Sequence, residues 1–223
     1  MKKTILILFS VCIVFVSFGQ EDNSSQKIKR SFYEFFFNSA FISNTAKIDK
    51  YFSNIYEDYN KTFIPTVGVG FNYGFNIISK LSLGIGGSFS TGVSMSDLKK
   101  ANKQQYKKLD SYIISLGIEY CFLDKDYFNL FIKSGFGADY TTFRYNRQAP
   151  LDITSYSYIN GFIPINFTWG IYSKNKTAGA GVFLQYNVCV IKGKPTYSGL
   201  DIQPKNIPFV AQNNLEFGVK YRF

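Results

Sequence analysis

The side chains of this chain that could take part in chemistry are few, and their types exclude several kinds of active site. The 223 residues include no histidine, which excludes a Ser-His-Asp triad, a Cys-His pair and any histidine-ligated metal. Lys133 and Ser134 could form a Ser-Lys dyad, but neighbouring residues of a strand point to opposite faces. The sequence therefore predicts a protein without catalytic activity, bound cofactor or metal.

Cys121 falls in a segment that is predicted to be a strand, and Cys189 directly follows the alternating run of another. Their predicted places, near opposite ends of those strands, put them roughly 25 Å apart. A disulfide requires Cα atoms within about 7 Å of each other, so we expect two buried thiols.

Seven charged residues share the small-residue faces of predicted strands: Glu34, Glu119, Lys133, Asp139, Glu216, Lys220 and Arg222. Buried charges are tolerated only when they are paired, so we expect ion pairs or hydrogen-bonded networks among them. Glu34 is expected near Lys220 and Arg222, and Glu119 near Lys133. Two interpretations stay open, a polar plug that fills an interior and fixes strand register, or a gated path for ions or protons.

These charges lie in segments where large apolar residues alternate with small polar ones. Val67, Val69 and Phe71, for example, alternate with Gly68 and Gly70. Such a period of two predicts β-strands. It recurs over 32–38, 63–75, 81–93, 112–122, 128–140, 160–171, 178–188 and 215–223. Eight strands of this length with ring-rich apolar faces predict an all-β, eight-stranded antiparallel transmembrane up-and-down β-barrel. A soluble β-sandwich is the alternative.

The N-terminus is predicted to be an export signal. Lys2 and Lys3 precede an apolar run that ends in the small-x-small pattern Ser17-Phe18-Gly19. We expect a cleaved signal peptide over 1–19, a short periplasmic segment over 20–30 and the barrel over 31–223. An uncleaved membrane anchor is the alternative.

The connections between predicted strands alternate in length, short over 76–80, 123–126 and 173–176, long over 42–62, 94–110, 146–156 and 192–208. An outer-membrane barrel has short periplasmic turns and long extracellular loops, which puts both termini on the periplasmic side. The second long connection carries a basic group of Lys99, Lys100, Lys103, Lys107 and Lys108. It predicts a short surface helix capped by Ser96 or a solvated loop, which could attract lipopolysaccharide phosphates or an acidic partner. Arg144 and Arg147 extend the same basic rim.

Aromatic residues near the predicted strand ends are expected to form two interfacial girdles. The periplasmic girdle is predicted from Tyr33, Tyr73, Tyr120, Trp169 and Tyr221, and the outer girdle from Phe41, Phe63, Phe89, Tyr112 and Tyr140.

The C-terminal residues Phe217, Val219, Tyr221 and Phe223 alternate and end on an aromatic ring. This ending resembles the signal by which outer-membrane barrels engage the barrel assembly machinery. The mature chain resembles the small eight-stranded outer-membrane barrels of Gram-negative bacteria, the OmpA/OmpX-like type. Its composition is similar to the Bacteroidota porin-like and PorT-type barrels. The resemblance implies a location in the outer membrane.

We therefore expect a non-enzymatic integral outer-membrane barrel that presents four extracellular loops for envelope integrity, adhesion or partner binding. An accessory subunit of an outer-membrane secretion or assembly complex is the alternative, and a narrow channel a third. Expected partners are outer-membrane lipid, lipopolysaccharide, the barrel assembly machinery and a surface ligand or envelope protein complex. The formal charge of +10 does not indicate nucleic acid in an exported protein.

Overall fold

The structure is a computed structural model that describes 31–43, 64–98, 103–125, 128–146, 153–174, 176–198 and 209–223. Within these ranges the regular elements are β-strands, and no helix there is long and apolar enough to cross a membrane. The predicted signal peptide over 1–19 and the segment over 20–30 lie outside the described residues.

Nine strands make up the described fold, and eight of them form a closed ring. The strands are β1 Ser31–Ser43, β2 Pro65–Ile78, β3 Leu81–Leu98, β4 Lys103–Lys125, β5 Phe128–Asn146, β6 Ile153–Tyr172, β7 Gly179–Ile191, β8 Thr196–Ser198 and β9 Asn213–Arg222. Neighbours from β1 to β7 pair antiparallel, β9 pairs with both β7 and β1, and β8 pairs with β6. The predicted eight-stranded antiparallel barrel is confirmed.

The strand register sets the shape of the barrel. Followed once around from Tyr33, it returns to Ser43 of the same strand, an offset of 43 − 33 = 10 residues. With strands about 4.7 Å apart and a rise of about 3.3 Å per residue, this offset gives a tilt of about 40°. An eight-stranded barrel of this kind has an interior just wide enough for side chains to fill it.

The outward face of the barrel carries the large apolar side chains. Ile114 on β4 and Ile171 on β6 are each 66% exposed, and aromatic rings such as Phe71 and Trp169 are also exposed. The inward positions hold the buried charges and amides. This distribution is the reverse of that in a soluble barrel, whose core is apolar.

The prediction of a long connection over 94–110 is wrong. β3 and β4 instead continue their pairing from Thr91↔Asp110 to Leu98↔Lys103, so the helix capped by Ser96 is a strand. β5 and β6 likewise pair up to Asn146↔Ile153. Outward positions of these extensions include Asp110, Thr142 and Arg144, so the apolar outer face that identified the other strands is interrupted here.

Candidate functional site in the barrel lumen

The structure places the seven predicted charges inside the barrel, in two groups along its axis. Six of the seven are buried, and Lys133 is half-buried beside a small internal cavity. Glu34, Glu119, Lys133, Lys220 and Arg222 form the group nearer to the C-terminal end of β9, which we call the charged cluster. Asp139 and Glu216 form the second group, which we call the acidic pair.

Four ion pairs join two acids and two bases in the charged cluster. Arg222 Nη2 lies 2.8 Å from Glu34 Oε2 and 2.6 Å from Glu119 Oε1. Lys220 Nζ lies 3.1 Å from Glu34 Oε2 and 3.4 Å from Glu119 Oε2. Glu34 and Arg222 are direct partners in the β1–β9 register, whereas Glu119 reaches them from β4 across the lumen. The cluster therefore links β4 to the adjacent strands β1 and β9 on the other side of the ring.

Lys133 lies beside Glu119 as expected, but the expected ion pair between them is not formed. It is the direct register partner of Glu119, but Glu119 makes its ion pairs with Lys220 and Arg222. Within the described ranges, no carboxylate lies within ion-pair distance of Lys133. Its side chain lines a cavity of about 30 Å³ together with Lys220 and Glu216. A cavity of this size holds about one water molecule.

Aromatic rings and a turn close the lumen below the charged cluster. The Arg222 guanidinium lies 3.9 Å from the centre of the Phe32 ring, 5.1 Å from that of Tyr172 and 5.3 Å from that of Phe131. Arg222 Nη1 also donates a hydrogen bond of 3.1 Å to the carbonyl oxygen of Lys176 in the β6–β7 turn. Lys176 is itself held by a 2.6 Å ion pair with Asp124 at the end of β4. This floor fixes Arg222 and separates the lumen from the solvent below it.

The acidic pair is held by neutral hydrogen-bond donors. Glu216 accepts hydrogen bonds from Asn38 at 2.9 Å and Asn187 at 2.6 Å. Asp139 accepts them from the side chains of Ser111, Thr141, Gln212 and Asn214, at 2.6–3.3 Å. Each carboxylate is thus surrounded by donors from several strands, which satisfies it in the interior and fixes the register of those strands.

An apolar cluster closes the lumen above the acidic pair. It consists of Ala40, Ile64, Leu109, Phe143, Tyr156, Tyr158 and Val210. The hydroxyl of Tyr158 donates a hydrogen bond to Gln212, which joins this lid to the polar layer below. Sequence reasoning missed the lid because Leu109 and Tyr156 fell in predicted loops. Every second residue of β4 and β6 faces inward, and continuing this alternation past the predicted strand ends would have identified both residues as inward.

Large rings also fill the lumen, each opposite a glycine on the next strand. A Cβ atom on Gly74 would overlap the ring of Phe32, and one on Gly70 would overlap that of Phe36. Phe36 packs edge-to-face on Phe183 of β7, with ring centres 5.7 Å apart. The interior is therefore filled with side chains along its described length, apart from small cavities such as that at Lys133.

The predicted basic group does not lie together on a loop. Lys103, Lys107 and Lys108 belong to β4, and Lys99 and Lys100 lie outside the described residues. Lys107 is 1% exposed, so it is not available as a surface cation. Lys108 faces outward and forms a 3.1 Å ion pair with Asp110.

The predicted assembly residues Phe217, Val219, Tyr221 and Phe223 all lie exposed on the outer face of the barrel. The backbone N–H of Phe223 donates to the carbonyl of Tyr33 at 2.9 Å, and the N–H of Tyr33 donates back at 2.8 Å. The last residue therefore extends the pairing that closes β9 onto β1. Cys121 and Cys189 are both free thiols, the first buried and the second half-buried.

No protein-family model matches the chain, and no curated protein sequence matches it. Solved structures that are similar to it include Ail, the attachment invasion locus protein of Yersinia pestis, at 13% identity over 87% of this chain and 98% of that one, with a TM-score of 0.43. Neisserial surface protein A is 10% identical over 86% and 97%, with a TM-score of 0.49. OprG of Pseudomonas aeruginosa is 11% identical over 87% and 96%, with a TM-score of 0.48.

Proposed function

We propose that the chain is a non-enzymatic integral barrel of a Gram-negative outer membrane, which presents its four extracellular loops for envelope integrity, adhesion or partner binding. The observation that carries the proposal is the reversed distribution of side chains: apolar residues cover the outside of a closed barrel, and paired charges fill the inside. Lipid acyl chains can contact such an apolar outer surface. Because the barrel is closed, no strand edge leaves unpaired backbone polar groups within the hydrocarbon.

The outer limit of the apolar surface can be located on β3, β4 and β5. Phe89, Tyr112 and Tyr140 are register partners on β3, β4 and β5, and they form one outward row. The next outward row consists of Thr91, Asp110, Thr142 and Ser157. The Thr142 and Ser157 hydroxyls share a hydrogen bond of 3.1 Å, so polar groups follow directly beyond the ring of Tyr140. Tyrosine rings next to polar groups in this way are typical of a membrane interface.

The height of the apolar surface fits an outer membrane. On β1 the exposed rings run from Tyr33 to Phe41, which are 41 − 33 = 8 residues apart. At the tilt derived above, eight residues correspond to about 20 Å along the barrel axis. Outer-membrane barrels have an apolar band about 25 Å tall, flanked by aromatic rings.

Strands continue past the outer aromatic row and would carry the loops into the medium. β4 extends from Tyr112 to Lys103, which is 112 − 103 = 9 further residues. β3, β5 and β6 extend with it, and β8 pairs with β6 at Tyr156↔Tyr197. Since the lumen is filled, we infer that activity resides in this projecting sheet and its loops.

Cysteine labelling in intact cells tests the location and orientation. In a Cys189→Ser background, Ser198→Cys on β8 should react with a membrane-impermeant maleimide at once. Lys174→Cys in the turn after β6 should react only after the outer membrane is permeabilised. Both parent side chains are exposed, so accessibility within the barrel does not distinguish them. Recovery of the processed protein as a detergent-free periplasmic monomer would contradict the proposal.

Loop replacement tests the role. Residues 99–102 and 147–152 are replaced by Gly-Ser turns of the same length, and adhesion and detergent sensitivity of the cells are compared with wild type. Loss of either property, with a heat-modifiable barrel still present, supports a surface role. Full activity of the replaced variants together with co-purification of a large membrane complex would instead favour the accessory-subunit alternative.

A further inference from the structure

Two cations stand side by side on the outer surface just above the outer aromatic row. Lys108 on β4 and Arg144 on β5 are direct register partners. They have the same strand parity as the exposed Tyr112 and Tyr140, so they face outward. Arg144 is exposed, and the Lys108 side chain is 30% exposed.

The backbones of Lys108 and Arg144 lie at the outer edge of the lipid head groups. Lys108 lies 112 − 108 = 4 residues beyond Tyr112, and Arg144 lies 144 − 140 = 4 residues beyond Tyr140. At this tilt, four residues correspond to about 10 Å above the aromatic row. The head-group region is roughly 5–8 Å thick on each side of the hydrocarbon. The flexible side chains of Lys108 and Arg144 therefore reach the level of lipid phosphates.

The neighbours of Arg144 leave its guanidinium available for an external anion. Asp110, in the row below, pairs with Lys108 at 3.1 Å and accepts a 2.6 Å hydrogen bond from Thr91. Over the described part of the chain, Arg144 has no ion pair. Its register partner on the other side, Ser155 of β6, adds a hydroxyl. The row Lys108–Arg144–Ser155 thus presents hydrogen-bond donors, and the carboxylate next to it, Asp110, is already paired with Lys108.

We propose that Lys108, Arg144 and Ser155 bind a phosphate group of a glycolipid in the outer leaflet. This inference rests on the proposed outer-membrane location. Arginine binds phosphate through two parallel N–H bonds, and lysine adds a compact positive charge beside it. The ion pair with Asp110 holds the Lys108 side chain at the level of the lipid phosphates, and Lys108 neutralises the charge of Asp110. The site would anchor the projecting sheet to the membrane surface next to the loops.

The test uses the full mature barrel refolded in detergent and titrated with diphosphorylated lipid A. Native mass spectrometry counts the glycolipid molecules retained. The Lys108→Ala/Arg144→Ala variant is expected to bind roughly tenfold more weakly, because charge-assisted hydrogen bonds at a partly desolvated surface are lost. The matched control, Lys80→Ala/Lys174→Ala, removes two charges from the opposite end and should bind like wild type.

Two further ligands test whether the site recognises the phosphate groups of lipid A or any anionic lipid. Dephosphorylated lipid A should bind wild type as weakly as diphosphorylated lipid A binds the double variant, and phosphatidylglycerol should also bind weakly. Equal binding of lipid A by wild type and the double variant would overturn the inference, as would equal binding of the dephosphorylated form or of phosphatidylglycerol. Heat-modifiable migration is checked on the same preparations, and maleimide orientation is measured separately in intact cells. Failure of the barrel to enter membranes is thereby distinguished, as failure of the proposed function, from failure to bind the glycolipid.

Discussion

The Arg222 side chain is held by contacts from several elements of the barrel. It pairs with Glu34 and Glu119, donates to the Lys176 carbonyl and lies on the Phe32 ring. These contacts come from β1, β4 and the β6–β7 turn, so one guanidinium connects elements on several sides of the barrel. A lysine lacks the planar fork needed for these contacts, which explains the use of arginine here.

Replacing Arg222 with methionine should strongly destabilise the barrel. The change leaves Glu34 and Glu119 buried with Lys220 as their one ion-pair partner among the described residues. Removing one member of a buried ion-pair group costs about 3–5 kcal/mol of unfolding free energy. Urea unfolding in detergent, followed by gel mobility, measures this loss. Arg144→Met removes an exposed charge and serves as control, and Arg222→Met/Glu119→Gln should recover part of the loss. A change within the error of the control would show that the cluster contributes no stability.

Gly70 is predicted to tolerate no side chain, because a Cβ atom there would overlap the Phe36 ring. Gly70→Ala should reduce the unfolding free energy by about 1–3 kcal/mol through overpacking. Gly87 is a matched control on β3, since the nearest atom to a Cβ there is the Ile113 carbonyl oxygen at 3.3 Å. Phe36→Leu should relieve the Gly70→Ala variant when both changes are combined. Equal unfolding midpoints for Gly70→Ala and Gly87→Ala would contradict this packing.

At the scale of elements, the sequence predicts strands well where lipid contacts one face. Val67, Val69 and Phe71 are exposed as the alternation requires, because hydrocarbon selects apolar residues at every second position. Beyond the outer interface this selection ends. The pairing of Thr91 with Asp110 begins an extension whose outward face is no longer continuously apolar, so the sequence predicts a loop there.

The partners of Glu119 could not be predicted for a different reason. Alternation and adjacency identify its neighbour Lys133, but the ion pair forms with Arg222 on a strand that is not adjacent in the ring. Contacts across a lumen depend on side-chain length and barrel radius, which follow from closure and register. Phe32 and Phe36 interrupt the apolar–polar alternation of the first predicted strand, because they are large rings that point inward. Glycines on β2 leave the space for these rings, and that pairing is visible only once the register is known.

The last strand gives a prediction about assembly. Phe223→Ala should slow the appearance of the heat-modifiable barrel in cells, because the terminal ring belongs to the predicted assembly signal. Refolding in detergent should stay close to wild type, since the backbone hydrogen bonds between Phe223 and Tyr33 are retained. Phe209→Ala removes an equally exposed ring outside β9 and should affect neither process. If Phe223→Ala impairs refolding in detergent as much as assembly in cells, the ring acts in folding rather than in recognition.

At the scale of the whole molecule, the barrel has a polar interior that is closed at both ends by side chains. The floor at Arg222 and Phe32, the acidic pair and the apolar lid lie in series along one axis. Each layer connects strands that are not neighbours in the ring, so the filling fixes the cross-section as well as the register. A barrel of eight strands has no space for both this filling and a water-filled pore.

The wild-type barrel should therefore not conduct ions across planar bilayers. The internal cavity beside Lys133 is about 30 Å³, and the floor and lid lie on either side of it. A Phe32→Ala/Arg222→Ala variant, which removes the floor, should give more frequent current steps than wild type in potassium chloride. That variant also shows whether the bilayer contains barrels at all. Discrete steps from wild type whose size changes in Lys133→Ala would instead establish the narrow channel, because an ion that passes the charged cluster must also pass this amine.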